Sequence, residues 1–170
     1  MSSFFTVLKS ILFCLSIIVA IVFFDLYSKK YIFDLLHYYA TTDSNGNPQI
    51  ALTSYLSMVY VSNNGISFGM FDNFANGKII FATLQAGIAI LLLFFMLKTT
   101  KIHKQTAFAL IIGGAFGNVI DRLQNGGVTD FIDFHLYGYH WPAFNLADSS
   151  IFVGVAILVI DELFFKEKQL

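Results

Sequence analysis

The sequence predicts an all-α membrane protein of four transmembrane helices, with a small β-containing outer loop region. Three observations carry this. Hydrophobic residues make up 56% and charged residues only 12% of 170 residues, whereas a soluble domain has roughly 25% charged residues. Mean hydropathy is +0.69. Four apolar runs approach the ~20 residues needed to cross the hydrocarbon core.

The first span, over 4–24, is broken only by Lys9 and small polar residues. Its length exceeds that of a signal-peptide core, and bulky Phe13 before Cys14 is wrong for a lipobox, so a retained span is expected. The second, over 79–97, has no charge. The third, over 106–123, is uncharged from Thr106 to Ile120. The fourth, over 145–165, is uninterrupted from Ile151 to Ile160 and ends at Asp161 and Glu162. Outer loops are expected over 25–78 and 124–144. In the first, Ser44 to Pro48 reads as a turn and Ser54 to Ser62 as strand; in the second, the region from Val128 to Leu136 alternates. The whole chain, 1–170, reads as one integral membrane domain.

Lys/Arg bias in short loops sets orientation. Lys98, Lys101 and Lys104, with His103, fall between spans two and three, Lys166 and Lys168 in the tail, and Lys9 at the start. Both termini are therefore expected in the cytoplasm, although Lys29, Lys30 and Lys78 fall on the outer side. A net charge of −1 gives no electrostatic footprint for nucleic acid.

Most of the eleven acidic residues lie toward the outer side. Counting at 1.5 Å per residue puts Asp148 just inside the outer hydrocarbon edge, with Asn118, Asp121 and Arg122 in the outer part of span three. Asp25 and Lys29 continue the outer end of span one. Ionisable groups at one membrane depth are costly and mark function. Asp34, Asp43 and Asp72 read as ordinary loop charges. Asp121 beside Arg122 also reads as an ion pair at a helix end, and Asp148 as an acidic helix start. Gly113-x-x-x-Gly117 permits close helix approach. His135 and His140 read as interfacial side chains, and Cys14 lacks the activating base a nucleophile needs.

The polar residues fall into an ordered series of motifs: Asp25-x-x-x-Lys29, Asn63-Asn64-Gly65, Gly117-Asn118-Val119-Ile120-Asp121-Arg122, Val128-Thr129-Asp130-Phe131-Ile132 and Phe144-Asn145-Leu146-Ala147-Asp148. In that order, over about residues 8–165, they resemble the bacterial lipoprotein signal peptidase (signal peptidase II) family of aspartic peptidases. The resemblance implies Asp130 and Asp148 as the catalytic pair. It implies Asp25, Lys29, Asn63, Gly65, Asn118, Asp121, Arg122 and Asn145 as residues lining the substrate pocket. It also implies a diacylglyceryl prolipoprotein substrate cut just before its lipidated cysteine, in the bacterial cytoplasmic (inner) membrane, with the site near the outer face. No metal or other cofactor is implied. A monomer in contact with membrane lipid is expected, because one chain supplies every motif. Ile66-Ser67 stands where the family commonly has two alanines, and Ser44 to Gln49 looks like a small insertion.

Two close carboxylates cannot both ionise, so they share a proton and supply a base and an acid together. Asn118, Asn145 and Arg122 are expected to hydrogen-bond the substrate, and the loop from Asn63 to Phe68 to close over it. A small proton-coupled membrane transporter, using Asp121, Asp130 and Asp148 as relays, is the alternative. A non-catalytic scaffold and a Mg²⁺-dependent phospholipid enzyme are weaker ones.

Overall fold

The computed structural model describes residues 2–42, 47–64 and 77–164. The first helix, α1, runs from Ser2 to Tyr39, about 57 Å at 1.5 Å per residue. The first outer loop was expected from residue 25, so α1 corrects that boundary. The helix continues because no Gly or Pro precedes Gly46. Lys29 pairs with Asp25 at 2.7 Å and Lys30 with Asp34 at 2.9 Å, both four residues apart, the first with the acid N-terminal and the second with the lysine N-terminal. Asp34 is thus a helix-surface charge rather than a loop charge.

Helix α2 spans Gly77–Lys98 and α3 spans Ile102–Asn125. Gly126 ends α3 in the left-handed region, φ 90°, its N–H donating to the Arg122 carbonyl at 3.0 Å. Helix α4 spans Leu146–Phe164. Among the described residues, three helices, α1, α2 and α3, are long and apolar enough to cross a membrane. They and α4 expose large apolar side chains such as Val19, Ile90 and Phe152, faces that suit lipid rather than water.

Among the described residues, five antiparallel strands follow one another in the sheet: β1 Thr41–Thr42, β2 Pro48–Thr53, β3 Leu56–Asn63, β4 Val128–Leu136 and β5 Tyr139–His140. The expected strand from Ser54 starts later, at Leu56, because Ser54 and Tyr55 form the turn between β2 and β3. The expected turn from Ser44 lies mostly outside the described residues. Strand β3 pairs with β4, placing Val61 opposite Asp130 and Asn63 opposite Val128. Ile32 and Leu36 of α1 and Phe131 of β4 form a small core beneath the sheet. The outer third of α1 is therefore buried on one side by sheet.

Helix α3 packs against each of the other three. Its small residues make this possible. A Cβ on Gly113 would lie 2.9 Å from Ile21 Cβ, one on Gly117 2.7 Å from Asp25 Oδ2, and one on Gly114 2.4 Å from the Ala147 carbonyl oxygen. The last contact is with backbone and cannot give. Gly114→Ala should therefore lose about 1–3 kcal/mol of stability through overpacking, read as a lower thermal midpoint in detergent. An unchanged midpoint would mean that α3 and α4 stand further apart. Cys14 is a packing residue, buried with Met96, Ala109 and Ile112 where α1, α2 and α3 meet. At the other end of the bundle, Asp161 of α4 lies 2.7 Å from Lys104 Nζ and 2.5 Å from His103 Nε2. The lysine and histidine assigned to the inner loop are in the first turn of α3 and bind the end of α4.

Candidate active site

Asn145 and Asp148 form a reciprocal cap at the start of α4. The Asp148 N–H donates to Asn145 Oδ1 at 2.9 Å, and the Asn145 N–H donates to Asp148 Oδ2 at 3.2 Å. This is the capping-box arrangement, with Asn and Asp in place of Ser and Glu. The neighbouring Ala147 N–H donates to Asp25 Oδ1 of α1 at 2.9 Å. The first turn of α4 is thus satisfied by side chains that also build the site.

Asp130 reaches the same place from β4. Its Oδ1 accepts from Asn145 Nδ2 at 2.7 Å and its Oδ2 from Asn63 Nδ2 at 3.2 Å. Asp148 Oδ1 accepts from Asn118 Nδ2 at 2.8 Å. The direction of the Asn118 amide is fixed from behind, since its Oδ1 accepts from Lys29 Nζ at 2.9 Å. Lys29 also donates to Asp25 Oδ2 at 2.7 Å and forms an ion pair with Asp121 Oδ2 at 3.2 Å, so its ammonium is held by two carboxylates and an amide oxygen. Asp121 in turn accepts from the Thr129 N–H at 2.7 Å and from Asn125 Nδ2 at 2.7 Å. Lys29, Asp25 and Asp121 are all buried. This ionic cluster joins α1, α3 and the start of β4 directly behind the two carboxylates.

Burial and, next, the negative charge of Asp148 raise the pKa of Asp130 to about 7. Hydrogen bonds from Asn63 and Asn145 and the charge of Lys29 work the other way. One carboxyl of the pair therefore holds a proton near neutrality.

Both carboxylates line a cavity of about 540 Å³. Arg122, Asn63 and Asn118 share its polar wall; Phe81, Leu84 and Ile88 of α2 form an apolar one, and Trp141 and Phe144 a third. Arg122 donates to Gln85 Oε1 of α2 at 3.1 Å.

Of the residues singled out in the sequence, Asp25, Lys29, Asn63, Asn118, Asp121, Arg122, Asn145, Asp130 and Asp148 converge here. Gly65 and most of the expected closing loop, with Asp43 and Asp72, lie outside the described residues. Asn118 and Asn145, expected to hydrogen-bond the substrate, donate their amide N–H groups to the carboxylates, and Asn118 also lines the cavity. Asn145 is fully buried. Gln85 was missed; a lone amide inside an uncharged span was the available signal. His140 Nδ1 lies 3.0 Å from Asp133, and His135 Nε2 3.0 Å from Ser57 Oγ, both on the sheet and neither among the residues that line the cavity. Among the described residues, no three His, Cys, Asp or Glu side chains are grouped to hold a metal ion.

Known proteins give the arrangement its context. The model of the family described as Signal peptidase (SPase) II matches residues 17–164. A lipoprotein signal peptidase of Pelagibacter ubique (strain HTCC1062) is 40% identical over 165 residues, covering 95% of this chain and 94% of the relative. Another, from Francisella tularensis subsp. novicida (strain U112), is 39% identical over 150 residues, covering 85% and 88%. A solved structure described as a bacterial membrane enzyme, obtained by the in meso method at 2.3 Å, superposes with a TM-score of 0.73 at 29% identity, covering 92% and 93%. The sequence match runs from α1 to the end of α4 and takes in both carboxylates and the cluster behind them: the chain belongs to the signal peptidase II family.

Proposed function

We propose that this chain is an aspartic endopeptidase of the bacterial inner membrane. It removes the signal peptide from diacylglyceryl-modified prolipoproteins by cutting just before the lipidated cysteine, with Asp130 and Asp148 as its catalytic pair. One observation carries the reading: two carboxylates from separate elements face one cavity, and one of them keeps its proton up to about pH 7. The relatives, themselves lipoprotein signal peptidases by name, support the substrate class. The transporter reading has no such support.

The chemistry follows from the pair. The ionised carboxylate takes a proton from water, which attacks the scissile carbonyl carbon. The protonated carboxyl hydrogen-bonds the carbonyl oxygen, and a proton then passes to the leaving amine. Asn118, Asn145 and Asn63 act through the carboxylates by fixing where their lone pairs point. Arg122, facing the cavity, is placed to hold a substrate carbonyl. We assign the same outer membrane edge to the ends of α1, α3 and α4. Helix α4 is about 28 Å long at 1.5 Å per residue, close to the hydrocarbon thickness. Its acidic residues sit at its two ends, so it serves as a fourth span with both termini cytoplasmic and the site near the outer face. Withdrawing acyl chains from lipid costs about 0.8 kcal/mol per CH₂, so a cavity at this depth meets the bond without extracting the substrate. The chain acts as a monomer, since it contributes both carboxylates itself.

Purified protein in detergent should cut a diacylglyceryl prolipoprotein and leave the unlipidated form intact, with EDTA having no effect. Cleavage of both forms alike would remove the lipid from the recognition. The rate should fall as pH rises through about 7, where the pair loses its shared proton. A hydrogen bond donated to a carboxylate favours its charged form. Asn63→Ala should therefore raise the pKa of Asp130 further and move the falling limb to higher pH. A limb that stays in place would show that Asn63 does not act on Asp130.

A further inference from the structure

The β4–β5 hairpin closes through a two-residue turn between the pairs His135↔His140 and Leu136↔Tyr139. Tyr137 and Gly138 both have positive φ, 50° and 79°, as a type I′ turn requires. Asn, Asp or Gly suits the first turn position; a tyrosine there costs about 1–2 kcal/mol of backbone strain. Tyr137 is nevertheless 93% exposed, so packing within the described structure does not explain it. Its neighbours repeat the pattern: Tyr139 is 84%, Trp141 69% and Leu136 61% exposed. No Lys, Arg, Asp or Glu lies between Leu136 and Trp141, and His140 faces Asp133. The tip of this hairpin is aromatic, uncharged and turned outward.

The chain fixes its depth. Trp141 lines the same cavity as Phe81 and Leu84, and Phe81 lies about 6 Å inside the outer end of α2 at 1.5 Å per residue. Three residues, Pro142 to Phe144, connect Trp141 to the cap of α4. The hairpin therefore stands where α2 and α4 reach the outer membrane boundary, continuous with their exposed apolar faces. Tyr and Trp favour this zone, because their rings enter the acyl edge while O–H and N–H stay hydrated.

We propose that the hairpin Leu136–Trp141 seats in the headgroup layer of the outer leaflet, with the phospholipid surface itself as its partner. It thereby holds the mouth of the cavity at the bilayer edge, between α2 and α4. This rests on the membrane topology proposed above.

Trp141 is the only tryptophan in the chain, so native emission reports directly on the hairpin. The full chain is reconstituted in phosphatidylcholine vesicles whose acyl chains are brominated either near the glycerol or near the chain ends. Two further reporters, Tyr137→Trp and Ile90→Trp, are each made in a Trp141→Phe background. Native Trp141 and the residue-137 reporter should lose emission chiefly to the shallow bromines, and the residue-90 reporter chiefly to the deep ones. A residue-137 reporter untouched by bromine and quenched by aqueous acrylamide as fully as a free indole overturns the proposal. Where residue 90 is still quenched by deep bromines, the topology survives and only the hairpin assignment fails. Silence at both positions removes the topology as well. Quenching of Trp141 alone indicates lipid inside the cavity and also overturns it.

Discussion

Asp130→Asn and Asp148→Asn should each slow prolipoprotein cleavage by about four orders of magnitude, the scale seen when one member of a catalytic unit is removed. That corresponds to about 5 kcal/mol of barrier. An amide can neither accept the proton from water nor share one across the pair. The fold should survive both changes. At position 148 the remaining oxygen can still accept the Asn145 N–H or the Asn118 amide, the two bonds the carboxylate now receives. At position 130, replacing a buried carboxyl that is protonated to about pH 7 removes little charge near neutrality. Rates and thermal midpoints measured on the same detergent preparations separate the two effects. Undiminished cleavage by either variant would remove that residue from the catalytic pair.

The second large effect is on stability. Lys29→Met should cost about 3–5 kcal/mol, because it leaves buried carboxylates without their counter-charge. Asp25 and Asp121 would both face the vacated position, and Asn118 would lose the donor that fixes its amide. The Asp25→Asn/Lys29→Met double variant should recover part of the loss, since only one carboxylate then lacks its partner, and the coupling can be read from a double-mutant cycle. Additive losses would mean that the cation and Asp25 do not interact in the folded protein.

Hydropathy located the helices well, but it measures affinity for lipid and not where a helix stops. Span one was therefore closed at residue 24, where charges begin, although no Gly or Pro ends the helix before Tyr39. The strand at Val128–Leu136 was legible from its alternation, whereas its partner in the sheet was not, because α2 and α3 lie between β3 and β4 in the chain. The convergence of Asp25, Asn118, Asp121 and Asp148 could be inferred from their common depth, whereas Asp130 joined them only through the family resemblance. What each amide does could not. Which end of Asn118 meets a carboxylate is decided by Lys29 on another helix, a tertiary fact without local signature. Gln85 lay open to reading as a solitary polar group in an apolar span, and its partner Arg122 is the only arginine in the chain.

The bond from the Ala147 N–H to Asp25 Oδ1 joins the first helix to the last. Its consequence concerns biosynthesis. During translation, Asp25 is made long before the backbone group it binds, and Asp148 follows only one residue after that group. A chain halted after β4 carries Asp130 but neither its partner carboxylate nor the cap that orients it. With the proposed pair and topology, proteolytic competence is expected to arrive in a single late step, when the final helix packs beside the first. Until then the nascent protein is a harmless bystander among the secretory precursors that share its membrane.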